Sequence, residues 1–101
     1  MTKQDILKDI EWRIKDLKDT YDFWMKKINE IPSREIAVER QKELIKIANE
    51  KAARGEFYAY TEAWNYVKKC DDELDSSHYN AFIALIRIDT LERLYETIKA
   101  D

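Results

Sequence analysis

The sequence predicts an all-α protein: an antiparallel three-helix bundle or helical hairpin with one long central helix and a coiled-coil-like first helix. Three observations predict it. Leu7, Ile10, Ile14, Leu17, Tyr21, Trp24, Ile28 and Ile31 alternate at spacings of three and four, which keeps them on one side of an α-helix; the two-residue period of a strand would scatter them. One glycine and one proline in 101 residues are too few for the tight turns of sandwiches, barrels and doubly wound sheets. Charged residues make up 39% of the chain, yet 45% hydrophobic and 12% aromatic content supplies enough apolar surface to offset chain entropy.

The first helix opens at Thr2 and Asp5, a hydroxyl cap followed three residues later by an acid at the positive helix end. It runs to about Asn29 or Glu30. Ile31-Pro32-Ser33 ends it, because proline pushes the preceding residue out of the α region and serine caps the next helix. The second stretch, Arg34 to Lys69, contains only Gly55 as a breaker and reads as one long helix. Its small residues Ala48, Ala52, Gly55, Ala59 and Ala63 form a stripe where another backbone can approach closely. The alternative is that Gly55 caps one helix and Glu56 begins another. Asp71-Asp72-Glu73-Leu74-Asp75-Ser76-Ser77 is rich in capping types and reads as the second turn. The third helix then runs to about Lys99, apolar on almost every side over Ala81 to Ile86 and on a narrower face at Leu91, Leu94, Tyr95 and Ile98.

Reversals at Pro32 and Glu73 lay the first helix over the near part of the second, and the third over its far part. Both tips are then two-helix layers with large apolar groups: Trp24, Ile28, Ile31 and Ile36 at one end, Tyr66, Tyr79, Phe82 and Ile83 at the other. Such surface predicts self-association, most simply a homodimer.

The length predicts one domain spanning residues 1–101. The net charge of −3 arises from 21 acidic and 18 basic residues interspersed along the chain, so direct nucleic-acid binding is not expected. Cys70, the only cysteine, allows neither an intramolecular disulfide nor a cysteine-based zinc cage, and suits a reducing cytoplasm. The charged start has no apolar signal core, and the apolar run Ala81 to Ile86 is too short to cross a bilayer.

Catalytic chemistry finds little footing. His78, the sole histidine, follows Asp75 by three residues, but a di-iron bundle needs two such motifs and further glutamates, so a helix-terminal histidine beside a capping acid is expected. Asp16, Asp19 and Asp22 form one carboxylate ladder, and Glu35, Glu39 and Glu43 another. Ladders of this kind hold Mg²⁺ in all-α nucleotide pyrophosphohydrolases, yet the first alternates with Lys15, Lys18 and Lys26 as a solvated face does. A single glycine excludes glycine-rich phosphate loops. Ser33, Ser76 and Ser77 fall in expected turns, and Cys70 beside Lys68 and Lys69 reads as a small unreactive thiol. No catalytic residue, metal or cofactor is expected.

The aromatic residues are the informative surplus. Tyr21 and Trp24 belong to the seam, and Phe57, Tyr60, Trp64 and Val67 make a second stripe. Trp12 and Phe23 share a direction on the outer side of the first helix, beside Asp16 and Asp19. Aromatic anchors framed by polar groups are what binding surfaces concentrate, and docking on the third helix or a second subunit explains them equally. The tract Ala53-Arg54-Gly55-Glu56-Phe57-Tyr58-Ala59-Tyr60-Thr61-Glu62-Ala63-Trp64 resembles in composition helical segments of small accessory proteins of phages and mobile elements. That resemblance implies a non-enzymatic protein that binds and blocks a host or defence factor. The expected function is therefore stoichiometric protein binding, with Trp12, Phe23, Trp24, Tyr60 and Trp64 as partner-binding residues. The alternatives are an oligomer that sequesters a small ligand such as a nucleotide, and an all-α Mg-dependent nucleotide pyrophosphohydrolase.

Overall fold

Capping defines where the helices begin. In the computed structural model, which describes residues 1–101, Thr2 and Asp5 bond reciprocally: the Asp5 N–H donates to Thr2 Oγ1 at 3.2 Å and the Thr2 N–H to Asp5 Oδ2 at 3.1 Å. Two of the orphan amides of a helix start are thereby satisfied. Helix α1 follows as Lys3–Glu30. After Ile31 and Pro32, Ser33 caps α2, Arg34–Ala53, by accepting from the Ile36 N–H at 3.4 Å. A five-residue α3, Tyr60–Trp64, and a 35-residue α4, Tyr66–Ala100, complete the chain without any strand. The all-α expectation holds.

The helix boundaries in the second half differ from those expected. The stretch Arg34 to Lys69 is not one helix, because Gly55 adopts φ +85°, a left-handed conformation that closes α2. The Gly55 N–H donates to Ala52 O at 2.9 Å and the Glu56 N–H to Lys51 O at 2.9 Å, the paired bonds of a Schellman cap. Gly55 thus caps a helix, as the alternative held, but the next helices start at Tyr60 and Tyr66 rather than Glu56. The expected turn at Asp71–Ser77 is also absent. It lies inside α4, because no residue there supplies a positive φ or a missing N–H to stop the helix, and Cys70, Leu74, Ser77 and Ala81 keep one side covered across it. The longest helix is therefore the last, not the central one.

Contacts divide the chain into two units, Met1–Ile28 with Ser77–Asp101, and Asn29–Ser76. In the first unit α1 pairs antiparallel with the C-terminal part of α4, whereas the sequence predicted α2 as its partner. Lys3 Nζ donates to Lys99 O at 3.3 Å, Tyr95 Oη to Glu11 Oε1 at 2.8 Å, and Lys18 lies 3.7 Å from Glu92. The cause is the uninterrupted α4, which removes the reversal that was to carry the third helix back over α2. Leu7, Ile10, Ser77, Ala81, Ala84 and Ile88 are buried, and Ile14, Leu17, Tyr21, Trp24 and Ile28 are half-buried. The three-four seam of α1 is thus its packed side. Full burial of a leucine or isoleucine contributes about 1.5–3 kcal/mol, so Leu7 and Ile10 anchor this end.

In the second unit α2 packs with α3 and the start of α4 around Ala37, Ala48, Ala63 and Cys70. The Val67 N–H, unpaired within its own helix because it lies in the first turn, donates to Gln41 Oε1 at 2.9 Å, so a side chain of α2 completes the start of α4. Tyr60 Oη bonds Asn49 Oδ1, tying α3 to α2. Arg34 and Asp71 form an exposed pair at 3.9 Å, of little energetic weight. No helix is long and apolar enough to cross a membrane.

Candidate binding surface

The rigid rod of α1 sets the position of its outer side chains. Eleven residues separate Trp12 from Phe23, which at ~100° per residue brings them within about 20° of one direction and about 16 Å apart along the axis. Trp12 is 63% and Phe23 51% exposed. Both rings are set among charges, with Lys15 Nζ 5.1 Å from the Trp12 centroid and Lys27 Nζ 5.6 Å from that of Phe23. Exposed cation–π contacts of this kind contribute on the order of 0.5–1 kcal/mol. Phe23 also meets Trp24 edge to face, with centroids 5.1 Å apart at 79°. Trp24 itself is half-buried on the seam, so one packed ring steadies its exposed neighbour.

Tyr60 and Trp64 fall in the other unit. Tyr60 is half-buried, whereas Trp64 on α3 is exposed. The residues expected to bind a partner therefore divide between the two units. The loop between α2 and α3 adds two exposed rings that were expected on a continuous helix, Phe57 and Tyr58, the latter 5.3 Å from Lys51 Nζ. Among the residues assigned to the two tips, Ile36, Tyr79 and Phe82 are exposed, and Trp24, Ile28, Ile31, Tyr66 and Ile83 are half-buried.

Two grooves accompany these rings. In the first unit, Arg13, Asp16, Leu17, Arg87, Thr90 and Leu91 line a groove of 480 Å³ between α1 and α4. In the second, Leu44, Ile47, Lys51, Glu62, Ala63 and Lys69 are among the residues lining a 470 Å³ groove. Both combine apolar surface with two cationic groups and one carboxylate, Arg13, Arg87 and Asp16 in the first and Lys51, Lys69 and Glu62 in the second, a composition suited to a ligand with an apolar body and a polar end.

Ionisable groups are arranged along helices rather than around a centre. Glu35, Glu39 and Glu43 flank Ile36 and Arg40 in a shallow 350 Å³ depression, and Asp16, Asp19 and Asp22 lie exposed on α1. No group of three or more His, Cys, Asp or Glu side chains converges for a metal. Residues three or four apart on one helix spread along it, and a carboxylate cage needs facing helices. His78 and Asp75 are exposed within α4 rather than at a helix terminus, and Cys70 is buried in the second turn of α4. Two groups shift: the hydrogen bond with Tyr66 raises Arg40 above its ordinary value, and the bond to Glu11 raises Tyr95 above 10.0. Each reflects a contact between helices.

Comparison with protein-family models, with curated proteins and with solved structures finds no match to this chain.

Proposed function

We propose that the protein acts by stoichiometric binding to another protein, with Trp12 and Phe23 as the anchors on α1. The observation that carries this reading is the pair of exposed rings, aligned about 16 Å apart on a charged face that needs no aromatic group for its own packing. Tryptophan and aromatic anchors framed by polar groups dominate binding energy in protein interfaces. A more specific form, an accessory protein of a phage or mobile element that blocks a host or defence factor, rests on the resemblance of Ala53–Trp64 to helical segments. Half of that tract is the loop between α2 and α3, and the binding reading stands without it. The single free cysteine fits a cytoplasmic setting.

Affinity capture from the native host with the wild-type chain, Trp12→Ala and Phe23→Ala as parallel baits tests the proposal. A partner retained by wild type and lost by both variants, with the melting temperature unchanged, is expected. Undiminished capture by both variants would overturn it. A second reading, sequestration of a small anionic ligand such as a nucleotide, rests on Lys51 and Lys69, which outnumber the one carboxylate, Glu62, in the lining of the groove in the second unit. A thermal-shift panel of nucleotides separates the two. The pyrophosphohydrolase alternative lacks converging carboxylates to support it.

A further inference from the structure

We propose that a second copy of this chain covers the outer face of α4 in an antiparallel two-fold contact centred at the level of Ala84. Tyr79, Phe82 and Ile86, spaced three and four, stand on the side of α4 opposite the buried Ser77, Ala81 and Ala84, and are 64%, 59% and 45% exposed. A helix apolar on both sides is ordinarily covered on both. Trp12 and Phe23 lie on α1, so this contact is independent of the partner surface above.

The charges on the same face select the occupant. Asp75 and Arg93 each stand nine positions from Ala84, and the eighteen-position step from one to the other makes about five whole turns, which puts both in line with the apolar stripe. Phe82 and Ile86 each stand two positions from the same level. Turned end for end, this face is its own complement: Asp75 meets the partner's Arg93, and Phe82 meets the partner's Ile86, each twice. A parallel pairing would set like charge against like. Self-complementarity about a two-fold axis is what an isologous contact requires. Arg93 bonds Asp89 on its own helix at 3.1 Å, and its guanidinium keeps further N–H donors for a second carboxylate.

The three apolar residues expose roughly 400 Å² per copy. Two copies with their polar flanks approach the ~1,200 Å² at the lower end of specific interfaces, so a micromolar dimer is expected rather than a permanent one.

Sedimentation equilibrium of the full chain from about 1 to 200 µM tests the proposal. Wild type is expected to dimerise across this range, and Phe82→Asp to weaken association roughly 30-fold. Asp75→Arg and Arg93→Asp, each alone, weaken it roughly tenfold or more. Their equimolar mixture regains wild-type association as a heterodimer, because each unlike pair is then restored. Circular dichroism checks the fold of each variant, and the two charge variants, at exposed positions, keep the test decisive should Phe82→Asp misfold. A monomer throughout the range, a dimer indifferent to the charge variants, or a mixture as weak as its components would overturn the proposal.

Discussion

Within the first unit, the covered side of α1 carries Leu7, Ile10, Ile14, Leu17, Tyr21 and Trp24, whereas the stripe of α4 that faces it carries Ser77, Ala81 and Ala84 before its first large member, Ile88. On the outer sides the weighting reverses. The outer side of α1 is charged apart from Trp12 and Phe23, and that of α4 holds Tyr79, Phe82 and Ile86 within two turns. The antiparallel register set by Glu11 with Tyr95 and Lys18 with Glu92 brings Trp24 level with Ala84 and Ile28 level with Ala81. Large groups of one helix thus stand over small groups of the other, which lets the two approach closely and leaves the bulk of α4 facing outward. A helix that turns its small side to its only neighbour within the unit is shaped for a second one.

Three perturbations can break or sharpen this contrast. Enlarging the small side should cost most: Ala81→Leu, at a buried position, is expected to lose about 1–3 kcal/mol through overpacking in a urea melt, and an unchanged midpoint would mean the two helices are not in close contact there. Gly55→Ala comes next. Nothing lies within 4 Å of an added Cβ, but the φ of +85° disfavours any side chain, so about 1 kcal/mol is lost. Were α2 to run through Gly55, the same change would stabilise by about 1 kcal/mol, and the small stripe of residues 48–63 would compete with that of α4 as the close-approach surface. The smallest effect concerns Tyr95, on the covered side of α4. Its phenol is raised above 10.0 by the bond to Glu11 and by burial, so the folded state favours the protonated form. The stability this supplies is present below the ordinary phenol range and is lost as pH rises through the raised value. Wild type should therefore lose stability more steeply above about pH 10 than Tyr95→Phe does, and parallel curves would remove the contact from the account.

The seam of α1 was legible because its members are large, apolar and evenly spaced. That of α4 was legible only at its end, at Leu91, Tyr95 and Ile98, although it is longer: Val67, Cys70, Leu74, Ser77, Ala81, Ala84, Ile88, Leu91, Tyr95 and Ile98 alternate at three and four without a break. Small and polar members hid it, and the capping residues of Asp71–Ser77 suggested a turn where a covered stripe was already continuous. Capping types permit a helix end, whereas a left-handed glycine compels one, which is why the turn fell at Gly55. Of the residues proposed to bind a partner, Trp12 and Phe23 could be placed on the outer face from the seam opposite them alone. The exposed Phe57 and Tyr58 could not, since assigning their loop to a helix put Phe57 in a stripe with Tyr60 and Trp64.

Two substitutions two residues apart on α4 test the contrast between its faces most directly: Phe82→Asp and Ala84→Asp, each melted at a concentration low enough to keep the chain monomeric. Phe82 is 59% and Ala84 3% exposed. The account predicts that Ala84→Asp, which buries an unpaired charge, loses about 3 kcal/mol or more, while Phe82→Asp stays within about 1 kcal/mol of wild type despite replacing the larger side chain. Equal losses, or the greater loss at Phe82, would contradict it.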